Sequence, residues 1–142
     1  MNVSKISYLV VFACMIPGLC SAEARGKEGY IQAYSTHLHK NTHIIAKGMI
    51  ADGMPADEAE KRSQAFISAA IGCHVKYLDD YPEPLQKALY DIIGSGGSYP
   101  DAESALKVVV AEARFEGNET LVQKFSEVTN ASVQCVRKLM SW

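Results

Sequence analysis

The chain is poor in the residues that would place it outside the ordinary globular proteins. Its 142 residues include only five prolines, four cysteines and one tryptophan, and it has little excess of either charge. The formal net charge of −2 is too small, and of the wrong sign, for the phosphate neutralisation on which nucleic-acid binding depends. We therefore expect one domain with a single core and no nucleic-acid partner.

No motif for catalysis or cofactor binding is present. The glycine-rich run at 94–98 follows a helical pattern rather than a strand, and it lacks the Lys-Ser/Thr ending of a phosphate-binding loop. His74 directly follows Cys73, but neighbouring residues in a helix point about 100° apart, so they do not form a nucleophile and base pair. Each cysteine stands alone, which excludes a redox CxxC motif. The sequence predicts a protein that is not an enzyme and has no cofactor.

The first 22 residues have the layout of a cleaved secretory signal peptide. Lys5 supplies a positive charge, residues 6–19 form an apolar run, and small residues precede a cleavage site after Ala22. A second permissible site follows Ala24. The mature chain, residues 23–142, is then expected to be a helical domain in the periplasm or secreted.

A membrane anchor is the alternative interpretation of the same segment. The apolar run is shorter than the roughly 20 residues that a spanning helix needs, and Pro17 and Gly18 interrupt it. A lipid anchor on Cys20 is disfavoured because the bulky Leu19 precedes it. We expect a soluble mature protein with no stable membrane anchor.

Cleavage would leave only Cys73 and Cys135 in the mature protein. In an oxidising compartment an even pair of cysteines usually forms a disulfide. Two free buried thiols are the alternative, and they would be the default in a cytosol. We predict a Cys73–Cys135 disulfide.

Apolar residues recur at three- and four-residue spacing in five stretches of the mature chain. These stretches are residues 31–49, 59–78, 85–93, 102–113 and 121–139. Glycine and proline separate them, and no β-hairpin signal occurs. The pattern predicts an all-α fold, a compact single-domain bundle of about five helices cross-linked by one disulfide.

Details of the last two helices follow from the same spacing. Residues 108–110 have the composition of a strand, but the flanking alanines and glutamates favour a helix, with Phe115 close to its apolar face. Asn118 is a good N-cap for the last helix. Leu139 is predicted to point inward there, as is Cys135.

Two clusters are candidates for binding. His39 and His43 are four residues apart and would be exposed neighbours on one helix, where they could share a metal ion, but no third ligand is apparent. Solvated histidines are the preferred interpretation. The second cluster, which we call the acidic corner, is a possible partner-binding surface or a solvated region; its residues are Tyr77, Asp79, Asp80, Tyr81 and Glu83.

By elimination, the sequence suggests an exported, periplasmic helical protein that acts by binding another protein, of the inhibitor, immunity or chaperone type. The alternative is a periplasmic carrier of a small molecule or a metal. The first function needs an exposed surface that a partner can cover. The second needs a cavity among the helices or use of the histidine pair.

Overall fold

The computed structural model describes residues 22–141, with side chains described from Gly26 onward. In this part of the chain there are six α-helices and no strands, so the all-α prediction is confirmed. The helices are α1 (Ala22–Lys40), α2 (Thr42–Ala51), α3 (Ala56–Tyr77), α4 (Glu83–Gly94), α5 (Tyr99–Phe115) and α6 (Glu119–Met140). None of these helices is long and apolar enough to span a membrane. The predicted signal peptide lies outside the described residues, apart from Ala22, and stays a prediction.

The first predicted helix is broken into α1 and α2 at Asn41. The Asn41 backbone N–H donates to the carbonyl of Leu38, three residues back, at 3.0 Å. The Asn41 side-chain amide donates instead to the carbonyl of His37, also at 3.0 Å. Side chains of this kind compete with the backbone for helical hydrogen bonds. The apolar spacing continues through Asn41, and so it did not reveal the break.

The end of α3 follows from the two prolines beyond it. A short 3-10 turn, Leu78–Asp80, continues the chain, and Tyr81 is extended with φ −65° and ψ 141°. An extended conformation is what a residue before proline adopts, because the ring of Pro82 clashes with a helical predecessor. The chain therefore turns at this point and begins α4 at Glu83, with Pro84 in its first turn.

Side chains cap the last two helices at their N-termini. The Ser98 side chain accepts from the Asp101 backbone N–H, and the Asp101 carboxylate accepts from the Ser98 backbone N–H, which forms a capping box before α5. Asn118 accepts from the Leu121 N–H at 3.2 Å, which confirms its prediction as the N-cap of α6. Each cap satisfies donors that would have no partner within the helix.

The core lies where α1, α4 and α5 pack together with α3 and α6. Its largest fully buried side chains include Tyr30, Ile67, Leu78, Leu85 and Leu89. The predicted disulfide is present between Cys73 and Cys135, with a Cα–Cα distance of 5.8 Å. It joins α3 to α6, and α2 packs on the outside of α3.

Two side chains expected near the core are exposed. Phe115 is 95% exposed, whereas Ala113, two residues earlier, is 5% exposed on the opposite side of α5. Leu139 is 63% exposed in the last turn of α6, although it shares a helical face with the buried Val128. The predictions for Phe115 and Leu139 were wrong because spacing identifies a helix face but does not show whether a neighbouring helix extends far enough to cover it.

Candidate functional site

The structure divides the predicted acidic corner between the surface and the core. Asp79, Asp80 and Glu83 are exposed. Tyr77 is half-buried, and the Lys76 ammonium lies 5.2 Å from the centre of its ring. Tyr81 is only 7% exposed.

Tyr81 is a core residue and not an exposed anchor for a partner. Its ring stacks on Phe125 with centroids 6.1 Å apart, and its hydroxyl lies 3.4 Å from Oγ1 of Thr129. These contacts tie the α3–α4 connection to α6. On the surface, the Lys27 ammonium contacts the Asp79 carboxylate. The partner-binding assignment stays a prediction, and it now depends mainly on Asp80 and Glu83.

A cluster of aromatic and histidine rings that the sequence did not reveal lies at the centre of the molecule. α1 contributes Tyr30, Tyr34 and His37, spaced by four and three residues and hence on one face. α3 contributes His74, and α5 contributes Tyr99. We call these five rings the ring cluster. The spacing on α1 could have identified three of them. Only the packing of three helices brings in His74 and Tyr99.

The inner part of the ring cluster is a buried hydrogen bond. The hydroxyl of Tyr30, a residue that is 2% exposed, is bonded to Nε2 of His74 at 2.8 Å. Burial lowers the pKa of His74 because it disfavours the charged imidazolium. Burial also raises the pKa of the Tyr30 hydroxyl far above its usual value, with the neighbouring tyrosines adding to the effect. Both groups are therefore uncharged at neutral pH.

The outer part of the ring cluster reaches the surface. Ring centroids lie 4.4 Å apart for Tyr34 and His74, 5.2 Å for Tyr34 and Tyr99, and 4.8 Å for His37 and Tyr99. Burial raises the pKa of Tyr34 to about 12, and burial together with the nearby Glu103 also raises the pKa of Tyr99. These hydroxyls keep their protons at neutral pH, so they are poor general bases.

A groove of about 600 Å³ runs along the outer edge of the ring cluster between α1 and α5. Ile93 and the ring of Tyr99 line its apolar part, and Thr36, His37 and Lys40 supply polar groups. It is open to solvent along its length. Its lining therefore combines an apolar part with hydrogen-bonding side chains of α1.

The exposure predicted for His39 and His43 is confirmed. The two histidines belong to α1 and α2, on either side of the break at Asn41, rather than to the single helix that the sequence predicted. Nδ1 of His43 donates to the backbone carbonyl of Lys40 at 3.0 Å. Among residues 22–141, no three His, Cys, Asp or Glu side chains lie close enough together to hold a metal ion.

An exposed stripe that is mainly apolar follows the solvent side of α5. Ser104, Val108, Ala111 and Phe115 are spaced by four, three and four residues, which places them on one face, and all four are exposed. Val108 is 55% exposed and Phe115 is 95% exposed. This outer stripe of α5 lies opposite the buried residues Ala102, Val110 and Ala113.

The chain has no match among protein-family models, curated proteins or solved structures.

Proposed function

We propose that this protein is exported to the periplasm and acts by binding another protein, as an inhibitor, immunity protein or chaperone does. The observation that carries the proposal is the exposure of Phe115 in line with Val108 on the outer stripe of α5. Single exposed apolar residues are common on protein surfaces. An aromatic ring that is 95% exposed at the end of an apolar helical stripe is better explained by a partner that covers it.

The stripe has the dimensions of a helical docking element. From Ser104 to Phe115 it spans about 16 Å. Helices that dock in a groove of a partner protein present their anchor side chains at such three- and four-residue spacings. Charged side chains flank it, with Lys107 bonded to Glu103 at 3.0 Å on one side and Glu112 on the other. An apolar centre with a polar rim is the usual anatomy of a protein interface, and aromatic residues contribute much of the binding energy there.

Photo-crosslinking in the producing cell tests this proposal. A photoreactive amino acid replaces Phe115 in one strain and Gln123, an exposed polar residue of α6, in a control strain. We expect one protein to be captured from position 115 and not from position 123. Capture of the same proteins in equal amounts from both positions would contradict a specific partner at the stripe.

Binding of the identified, purified partner then gives the quantitative test. Phe115→Ser should weaken binding at least tenfold, since loss of an aromatic anchor typically costs more than about 2 kcal/mol. Val133→Ser removes an exposed aliphatic side chain from α6 and should leave the affinity within about twofold of the wild type. Equal losses in the two variants would remove the stripe as the binding surface.

The groove beside Tyr99 favours the second candidate function, a carrier of a small molecule. A ligand that copurifies with the exported protein would appear as a mass increment in native mass spectrometry. Tyr99→Ala should then remove the increment, and Phe115→Ser should keep it. If Phe115→Ser removed the increment and Tyr99→Ala kept it, the ligand would bind outside the groove. The crosslinking experiment tests the protein-binding proposal independently of either result.

A further inference from the structure

The end of α1 is held by the side chains of the three residues that follow it. Each of these side chains donates a hydrogen bond to a carbonyl in the last turn of α1. The donors are Asn41, Thr42 and His43, and the carbonyls belong to His37, His39 and Lys40, at 3.0, 2.8 and 3.0 Å. The last carbonyls of an α-helix have no partner within it. Residues 37–43, which we call the joint between α1 and α2, are therefore fixed by side chains.

The side-chain amide of Asn41 has a second acceptor in the joint. Its nitrogen, Nδ2, lies 3.3 Å from Nε2 of His37. This atom is the nitrogen and not the oxygen of the amide, because it also bonds the His37 carbonyl, which only accepts. Nδ2 carries two hydrogens, one for each acceptor. Nε2 of His37 must therefore accept, which places the single ring hydrogen of the neutral imidazole on Nδ1.

A protonated His37 cannot keep both contacts with Asn41. The imidazolium has an N–H on each ring nitrogen and no acceptor, so two donors would face each other. Rotation of the Asn41 amide by 180° would present Oδ1 to the imidazolium. It would also place Oδ1 against the His37 carbonyl, where two acceptors meet. In either arrangement, one of the two hydrogen bonds made by the Asn41 side chain is lost.

The bond to the His37 carbonyl takes the place of a backbone hydrogen bond. In a continuous helix the Asn41 backbone N–H would donate to the carbonyl of His37, four residues back. It donates instead to the carbonyl of Leu38 at 3.0 Å, while the side-chain amide occupies the carbonyl of His37. Release of the amide makes that carbonyl available to the backbone again. The joint therefore has two hydrogen-bonding arrangements, and the charge of His37 selects between them.

The helix that follows the joint is weakly held. α2 packs mainly on α3, and Ala46 is the one buried residue among its ten. Gly48 lies in its middle, and a Cβ atom there would meet nothing within 4 Å. Segments with few buried apolar contacts open locally at a small cost in free energy. A change at the joint is therefore expected to act first on α2.

Other groups that titrate or carry charge surround His37. They are Lys40 on α1, His43 on α2, His74 on α3, and Tyr99, Asp101 and Glu103 on α5. α4 contributes the apolar Ile93 to this region. In the described part of the chain, the ring of His37 is hydrogen-bonded to none of these groups. His43 bonds through Nδ1–H, which the imidazolium also carries, so its titration leaves its own bond in place.

We propose that protonation of His37 releases the joint between α1 and α2 and loosens α2 from α3. Histidine is the side chain whose charge ordinarily changes between pH 5 and pH 8. The bond from Asn41 is made when His37 is neutral, at the upper end of that range, and it is lost as the pH falls and the ring is charged. The change is local to α2, whereas the charging of His74 acts on the core. The inference does not rest on the proposed protein-binding function.

The hydrogen on the neutral ring of His37 gives the first test. Long-range proton–nitrogen NMR spectra of the purified, 15N-labelled protein at pH 8 distinguish the two ring nitrogens of each histidine. The signals that disappear in His37→Gln belong to His37. We expect its hydrogen on Nδ1 and an unprotonated Nε2. A hydrogen on Nε2 would overturn the proposal, because Nε2 could not then accept from Asn41.

Hydrogen exchange measured by NMR tests the loosening of α2. Between pH 8 and pH 5, the protection factors of the α2 amides should fall about fivefold more than those of α4, which corresponds to the loss of one hydrogen bond. Protection factors are corrected for the intrinsic effect of pH on exchange, and the comparison with α4 removes any opening of the whole domain. Equal changes in α2 and α4 would contradict a local effect at the joint and overturn the proposal.

Matched variants assign the response to His37. His37→Gln supplies an amide oxygen as acceptor and does not titrate, so the additional loss in α2 should shrink to less than twofold. His43→Gln, the control at the other histidine of the joint, should retain about a fivefold loss. Asn41→Ala removes both side-chain bonds and should give α2 the same low protection at both pH values. A full response in His37→Gln, or its disappearance in His43→Gln alone, would overturn the assignment.

Discussion

The hydroxyl of Tyr30 on α1 and Nε2 of His74 on α3 are joined by a buried hydrogen bond of 2.8 Å. Each is a polar group that would be costly to bury without the other, because an unpaired buried donor or acceptor loses its hydrogen bonds to water. The bond therefore fixes α1 against α3 at a defined position. It also makes the stability of the protein depend on the protonation of one histidine.

Acidification from pH 8 to pH 5 should lower the free energy of unfolding through His74. Burial holds the pKa of His74 in the folded protein below its ordinary value of 6.5. In the pH range between the two values the unfolded chain binds more protons, so stability rises with pH. The stabilisation is complete above the ordinary pKa and is lost as the pH falls through the lowered one. Urea unfolding at a series of pH values measures this dependence.

Histidine variants assign that dependence to one site. His74→Gln should flatten the dependence between pH 8 and pH 5, at the cost of lower stability throughout. His39→Gln, at an exposed position, should retain the full slope. An unchanged slope in His74→Gln would refute the assignment.

The disulfide should make a large contribution to stability. Cys73 and Cys135 are 62 residues apart in sequence, and closing a loop of that length in the unfolded chain corresponds to about 4 kcal/mol in the chain-entropy model. The double change Cys73→Ala and Cys135→Ala should therefore lower the melting temperature by more than about ten degrees. Calorimetry measures the shift. Two reactive thiols in denatured, unreduced protein from the exported fraction would contradict the bridge.

Two helical glycines should respond in opposite directions to alanine. A Cβ atom at Gly26 would lie 2.9 Å from Cβ of Tyr90, so Gly26→Ala should force α1 away from α4 and destabilise the protein by about 1–3 kcal/mol. A Cβ atom at Gly72 meets nothing within 4 Å, so Gly72→Ala should stabilise α3 by about 0.5–1 kcal/mol. Chemical unfolding compares the two variants. Stabilisation by both would show that α1 and α4 approach less closely.

Phe115 should be dispensable for folding. Because its side chain is 95% exposed, Phe115→Ser should change the free energy of unfolding by less than about 0.5 kcal/mol. Leu85 has no exposed surface in the core, and Leu85→Ala should cost about 2–5 kcal/mol. Urea unfolding of both variants gives the comparison. A large loss in Phe115→Ser would mean that the ring is covered in the native protein.

The mature N-terminus should be Glu23 or Arg25. The charged, apolar and small-residue layout of residues 1–22 motivates this expectation. Intact-mass analysis of the extracytoplasmic fraction measures the start of the chain directly. A species that retains Met1, or one with lipid attached to Cys20, would show that the segment is not a cleaved signal peptide.

Local sequence was sufficient for the helices and most of their ends. The spacing of apolar residues predicted α3, α4, α5 and α6, and the prolines and Asn118 marked the boundaries. The disulfide also followed from sequence, because only Cys73 and Cys135 remain after the predicted cleavage. These features depend on neighbouring residues in the chain or on cysteine count, so they need no knowledge of the packing. The break at Asn41 is an exception. It depends on two hydrogen bonds, from the Asn41 backbone N–H to the carbonyl of Leu38 and from its side-chain amide to the carbonyl of His37.

Only the tertiary structure decided which side chains are covered and which rings meet. Tyr81, expected in a surface corner, enters the core because α6 packs over the α3–α4 connection. Phe115 and Leu139, expected near the core, are exposed because none of the helices between residues 22 and 141 covers them. The contact between Tyr30 and His74 joins residues 44 apart in sequence. The periodicity of apolar residues indicates the direction in which a side chain points from its own helix axis. Burial depends on the neighbouring helices, and no single segment of the sequence specifies their positions.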